Sequence, residues 1–101
     1  MTSARVDFHA INQRILSDLP GFISCWLPDG RRLGSEYVSR NPRRADRSPG
    51  SFKVNISTGR WADFATGDKG GDPISLYAFL HGLSQGQAAR ELAAQLGVAY
   101  E

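Results

Sequence analysis

The stretch "GRWADFATGDKGGDPISLYAFL", Gly59 to Leu80, contains the signals that decide the fold. It places a glycine-rich acidic turn between a strand that carries Trp61 and the start of a helix. Asp72 can cap that helix with its carboxylate, and Pro73 suits the first helical position because an N–H there would have no partner. We therefore predict that this turn joins a sheet to a helix.

A second helix follows the first one closely. Gly82 is expected to end the first helix, and Ser84 with Gln87 three residues later predicts a capping box at the start of the second. Apolar residues, many of them alanine, recur at helical spacing until Gly97. The sequence therefore predicts a pair of C-terminal helices that pack closely.

Residues before the opening stretch alternate as strands do. In "SFKVNISTGRWADF", Ser51 to Phe64, apolar and polar positions alternate, which predicts two strands with Phe52, Trp61 and Phe64 in an aromatic core. Further upstream, "GFISCWLPDGRRLGSEYVS" has two apolar or aromatic runs on either side of Pro28-Asp29-Gly30. This pattern predicts a hairpin that turns at Pro28-Asp29-Gly30, with Cys25 buried in its first strand.

The N-terminal residues predict one helix. Apolar positions have helical spacing from Asp7 to Leu19, and Pro20-Gly21 is expected to stop the helix. The predicted fold class is therefore α+β, with an N-terminal helix, a small antiparallel sheet and two C-terminal helices. With 101 residues, the chain is expected to form one domain.

Composition excludes several classes of protein. The one cysteine excludes an intrachain disulfide framework and the usual multi-cysteine zinc site. No apolar run approaches the roughly 20 residues of a membrane span, and the first residues lack the apolar stretch of a secretory signal. We predict a cytoplasmic protein that does not contact membranes.

Positive charge is concentrated in the middle of the chain. Between Asp29 and Arg60 there are eight cations and three acids, a balance of +5, so the remainder of this chain of net charge +2 carries −3. Seven of the eight cations are arginines, whose planar guanidinium suits contacts with phosphates and bases. Two interpretations remain open at this point: a solvated arginine-rich loop, or a surface that binds nucleic acid.

Several short motifs occur in this chain in the same order as in a known protein family. The motifs are Asn-Pro-x-Arg, Ser-Pro-x-Ser-Phe, Gly-x-Trp-x-Asp-Phe-x-Thr-Gly, Gly-Gly-Asp and the final helix pair. With them, residues 41–98 resemble the N-terminal zinc-ribbon domain of bacterial and phage DNA primases. Residues 1–40, the expected helix and hairpin, resemble the lead-in to that domain more loosely. The resemblance implies a zinc-ribbon-like sheet.

The resemblance also places the family's four zinc ligands on this chain, at Asn41, Arg44, Asp63 and Thr66, which we call the knuckle positions. Both ligand spacings are kept, but no knuckle position has a thiolate or an imidazole. We therefore predict a domain without zinc or other metal, and an ion pair between Arg44 and Asp63 across the knuckle positions.

The function that the resemblance implies is contact with template DNA beside a catalytic domain. We expect a non-catalytic domain of a phage or mobile-element replication protein that binds single-stranded DNA. The predicted contacts are Arg40, Arg43, Arg44, Arg47, Lys53 and Arg60, with Tyr37 and Trp61 as the aromatic residues that stack on bases. The alternative is a zinc-less protein-interaction module that docks on a replication helicase, polymerase or primase partner; a primase catalytic domain or a helicase is the partner expected beside DNA.

Two other functions are disfavoured by the acidic turn. "GDKGGD", Gly67 to Asp72, precedes a helix but lacks the Gly-Lys-Ser/Thr ending of a nucleotide-binding loop, and Asp68 and Asp72 repel phosphate. Magnesium binding by Asp63, Asp68 and Asp72 is less favoured than three solvated carboxylates, because their spacing matches no calcium loop. No cofactor is therefore expected.

Overall fold

The computed structural model describes residues 7–41 and 51–97, and within these ranges the chain forms four helices and five strands. In chain order they are α1 (Phe8–Leu16), α2 (Leu19–Trp26), β1 (Arg31–Leu33), β2 (Glu36–Ser39), β3 (Phe52–Asn55), β4 (Trp61–Asp63), β5 (Lys69–Gly70), α3 (Pro73–His81) and α4 (Gln85–Leu96). The predicted α+β class is confirmed.

The N-terminal region holds two helices, so the prediction of one helix ended by Pro20-Gly21 is wrong. Asp7 caps α1 as its Oδ1 accepts from the N–H of Ala10 at 3.0 Å. The helix ends near Ser17, and Pro20 lies in the first turn of α2, where a proline breaks no helical hydrogen bond. Pro20 therefore helps to start a helix here.

The hairpin also lies later in the chain than predicted. The run from Gly21 to Trp26 is part of α2, and Cys25 is exposed on that helix, so its predicted burial in a strand is wrong. The strands β1 and β2 turn at Gly34-Ser35, where Gly34 has a φ of 63°. Pro28-Asp29-Gly30 instead connects the end of α2 to β1.

The five strands form an antiparallel meander in the order β1-β2-β3-β4-β5. Residues directly opposite each other in such a sheet lie on the same face. Phe52 is opposite Asp63 and Val54 is opposite Trp61, and these buried side chains form the inner face. Lys53 is opposite Ala62, which is opposite Lys69, so these three lie on the other face.

Aromatic stacking holds the inner face against α3. The ring of Trp61 lies 5.7 Å from that of Phe52 and 4.8 Å from that of Phe79, measured between centroids. The prediction that Phe64 belongs to this cluster is wrong, because Phe64 is 71% exposed. Phe79 takes the place in the cluster that was expected for Phe64. The third ring of this cluster therefore comes from α3.

The two C-terminal helices are confirmed together with their predicted caps. Asp72 Oδ1 accepts from the N–H of Ser75 at 2.8 Å, and Ser84 and Gln87 form a capping box. The corner before α3 is tight: a Cβ on Gly70 would meet Ser75 Oγ and Trp61 Nε1. These two atoms are hydrogen-bonded to each other at 3.0 Å, so the glycine allows the sheet to approach the helix closely.

Candidate nucleic-acid interface

Two of the knuckle positions are joined directly. Asn41 follows β2, and Asp63 ends β4. Asn41 Nδ2 donates to Asp63 Oδ2 at 2.7 Å, and the two side chains are only 2% and 1% exposed. This buried hydrogen bond connects segments that are 22 residues apart in the chain.

The carboxylate of Asp63 accepts further hydrogen bonds within its own turn. Its Oδ1 accepts from the N–H of Ala65 at 2.8 Å and from the N–H of Thr66 at 3.4 Å, and the side chain of Ser51 also donates to it. Burial alone raises the pKa of Asp63, but the donors, led by Asn41, outweigh this effect and hold that pKa below its usual value. Asp63 is therefore a buried charge stabilised by hydrogen bonds.

The other two knuckle positions, Arg44 and Thr66, do not take part in the buried hydrogen bond between Asn41 and Asp63 through side chains that the structure describes. Thr66 gives its backbone N–H to Asp63, whereas its exposed hydroxyl donates to Asp68 Oδ2 at 2.8 Å. Arg44 lies outside the described residues, so the predicted ion pair with Asp63 stays a prediction. Among residues 7–41 and 51–97, no group of three His, Cys, Asp or Glu side chains is placed to hold a metal ion.

The outer face of the sheet carries the second feature of interest. We call the part of it that lines a concavity the open face; its exposed or half-buried residues are Glu36, Lys53, Asn55, Arg60, Ala62, Phe64 and Lys69. The concavity has a volume of about 420 Å³ and is also lined by Thr58, Trp61 and Gly70. Three cations and one acid among these residues give the concavity a charge of +2.

Phe64 is the exposed aromatic residue of the open face. It follows the inward-facing Asp63, so the alternation of the strand directs it outward. Lys53 Nζ lies 5.6 Å from the centroid of the Phe64 ring, within the range of a cation–π contact. Lys53, Arg60 and Lys69 form no ion pair with any residue of the described ranges. The open face therefore presents an aromatic ring next to cations that no acid of the described ranges pairs with.

Tyr37 and Trp61 do not fit the stacking role predicted for them, because both rings are buried. The hydroxyl of Tyr37 donates to the carbonyl oxygen of Leu27 at 2.7 Å. Burial, and secondarily the nearby carboxylate of Asp29, raise the pKa of Tyr37, so this hydroxyl keeps its proton. Trp61 Nε1 donates to Ser75 Oγ, as described above. Both residues stabilise the core.

The predicted cations divide into two groups. Arg40 is exposed just after β2, while Lys53 and Arg60 lie together on the open face. Arg43, Arg44 and Arg47 lie outside the described residues. The structure thus brings two of the predicted cations into one concavity.

Sequence reasoning did not select Lys69 or Phe64 as contacts. The sequence indicates Lys69 only as part of a possible nucleotide-binding loop, and it predicts Phe64 in the core. Alternation in β4, counted from the buried Trp61, directs Phe64 outward. The position of Lys69 follows instead from the register of β4 with β5, which places it opposite Ala62.

Comparison with known proteins leaves the resemblance untested. No helix in the described part of the chain is long and apolar enough to cross a membrane. No protein-family model matches this chain, and no curated protein is similar enough to count as a relative. The function must therefore be argued from the open face and the knuckle positions.

Proposed function

We propose that this chain is a zinc-less domain of the primase N-terminal type that binds single-stranded template DNA through the open face. It is not catalytic by itself and acts within a phage or mobile-element replication protein, beside a catalytic domain or a helicase. The observation that carries the proposal is Phe64, a largely exposed ring in one concavity with Lys53, Arg60 and Lys69, which form no ion pair within residues 7–41 and 51–97.

An exposed aromatic ring beside cations favours the binding of single-stranded DNA over duplex DNA. An exposed ring stacks on an unpaired base, whereas the bases of a duplex are already stacked on each other. Lys53 lies beside the ring, where it can neutralise a phosphate next to the stacked base. Stacking tolerates every base and phosphate contacts carry no sequence information, so this part of the binding is expected to tolerate sequence changes.

The knuckle positions support the family part of the proposal. A structural zinc site links two turns of a ribbon and can supply much of its folding free energy. The hydrogen bond between Asn41 and Asp63 links the segments that carry the first and second pairs of knuckle positions. This link supports the proposal because it joins the same two segments with no thiolate or imidazole at these positions.

Fluorescence anisotropy with labelled single-stranded and duplex oligonucleotides, across a salt series, tests the proposal. Three phosphate contacts predict a slope of log K against log salt of about −2 for single strands. The double change Lys53→Gln and Lys69→Gln should reduce that slope by about 1.4. Arg14→Gln with Arg90→Gln, on α1 and α4, removes the same charge away from the open face and should leave the slope unchanged.

The alternative, docking on a protein partner, is favoured by a different observation. The edge strand β1 is exposed along its whole length, and Leu33 is 51% exposed. An exposed edge can pair with a strand of another chain. Absence of oligonucleotide binding even at low salt would contradict the DNA proposal and favour this one.

A further inference from the structure

Two side chains of the concavity serve neither stacking nor phosphate binding. Glu36 and Asn55 lie directly opposite each other in the pairing of β2 with β3. Glu36 is the one acid among the described residues that line the concavity. A carboxylate repels phosphate, so its presence in a cationic groove points to a ligand group that donates hydrogen bonds.

The local contacts fix which hydrogen-bonding groups these two side chains offer. Asn55 Oδ1 accepts from the N–H of Ser57 at 2.8 Å and from the N–H of Thr58 at 3.0 Å. Its Nδ2 is therefore the group left to donate to a ligand. The carboxylate of Glu36 forms no hydrogen bond or ion pair with another residue of the described ranges. The pair thus offers two acceptor oxygens beside one donor.

On the basis of the proposed function, we propose that Glu36 and Asn55 form a base-reading subsite that prefers guanine. The Watson–Crick edge of guanine carries two neighbouring donors, N1–H and N2–H, beside the acceptor O6. The Glu36 carboxylate accepts from both donors, and Asn55 Nδ2 donates to O6. Adenine and cytosine offer the carboxylate only one exocyclic amino group, and thymine offers it only N3–H, so guanine makes the most hydrogen bonds.

The subsite lies next to Phe64 on the open face, with Lys53 between them. Lys53 and Asn55 are on the same face of β3, about 6.6 Å apart along the strand. Lys53 also contacts the ring of Phe64. It therefore stands between the base that stacks on Phe64 and the base that Glu36 reads, where it can bind the phosphate that links them.

Fluorescence anisotropy with single-stranded oligonucleotides of about 5 nucleotides, short enough to leave few alternative binding registers, tests the inference. One is all thymidine, and the others carry one central dG, dA or dC. The dG oligonucleotide should bind about fivefold more tightly than the all-thymidine one, the low end of the effect of a bidentate base contact. Equal affinity for all four would overturn the inference and leave the proposed function standing, whereas no binding to any of them would overturn both.

The variant Glu36→Gln separates base reading from a charge effect. It should remove the preference for dG while all-thymidine binding stays equal or becomes tighter, because a charge that repels phosphate is lost. Asp29→Asn, the same charge change at an exposed residue that does not line the concavity, should keep the preference. Retention of the dG preference in a folded Glu36→Gln protein, checked by thermal melting, would refute the assignment.

Discussion

Replacing Asn41 by alanine should lower the free energy of unfolding by more than the loss of so small a side chain would suggest. The change removes the Nδ2 donor from the Asp63 carboxylate, which is only 1% exposed. A hydrogen bond to a charged group contributes about 1.5–3 kcal/mol, and the variant also loses the packing of a buried side chain. We therefore expect the free energy of unfolding to fall by about 2–4 kcal/mol, out of the 5–15 kcal/mol that is typical of a small domain.

Urea unfolding at neutral pH measures this difference, with Thr66→Ala as the matched control. Thr66 is also a knuckle position, but its side chain is exposed and, among the described residues, hydrogen-bonds to Asp68 only. Its removal should change the free energy of unfolding by no more than about 0.5 kcal/mol. Equal losses in the two variants would contradict the role assigned to the hydrogen bond between Asn41 and Asp63.

The pH dependence gives an independent check of the same reasoning. The folded-state pKa of Asp63 lies below that of the unfolded chain, so its stabilisation is complete above about pH 5 and is lost as pH falls through the folded-state value. Asn41→Ala raises that folded-state value, so the stability gap between wild type and variant should narrow in acid. A gap of the same size at pH 7 and at about pH 3 would contradict a charge-based role for Asn41.

Three further predictions concern the aromatic residues, the corner and the metal. Phe64→Ala should leave the urea midpoint nearly unchanged but weaken binding to single-stranded DNA by about 1–3 kcal/mol. Phe52 is buried, so Phe52→Ala should lower the free energy of unfolding by about 3–5 kcal/mol. The reverse pattern would contradict the faces assigned to these two rings. Gly70→Ala should lower the melting temperature because its Cβ meets Ser75 and Trp61, while Gly71→Ala, whose Cβ meets nothing within 4 Å, serves as control. Elemental analysis should find no stoichiometric zinc, and a chelator should leave the melting temperature unchanged; zinc at one atom per chain would overturn our interpretation of the knuckle positions.

The parts of the fold that the sequence predicted correctly depend on local signals. Asp72 and Ser84 cap their helices through contacts within three residues, and alternation in β3 reflects burial on one face. The prediction of a hairpin at Pro28-Asp29-Gly30 was wrong because the apolar run before Trp26 fits both a strand and a helix. Leu19, Ile23 and Leu27 are also spaced as one face of a helix, and all three are buried.

The candidate site was harder to predict because it depends on contacts between distant residues. Alternation in β4 directs Phe64 outward only where Asp63 is buried, and a buried carboxylate is not expected from the sequence, because Asp63 is buried with Asn41, which is 22 residues away in the chain. No local pattern contains that pairing. Likewise, Glu36 and Asn55 meet only through the register of β2 with β3, which a single sequence does not fix.

Binding of single-stranded DNA on the open face can be mapped residue by residue. The measurement is a titration of the ¹⁵N-labelled domain with an all-thymidine oligonucleotide, followed through amide shifts by NMR. We expect the largest shifts at Lys53, Ala62 and Lys69, with small changes along α4. Saturable binding whose shifts are confined to α3 and α4, or no shifts at all at low salt, would contradict binding on the open face.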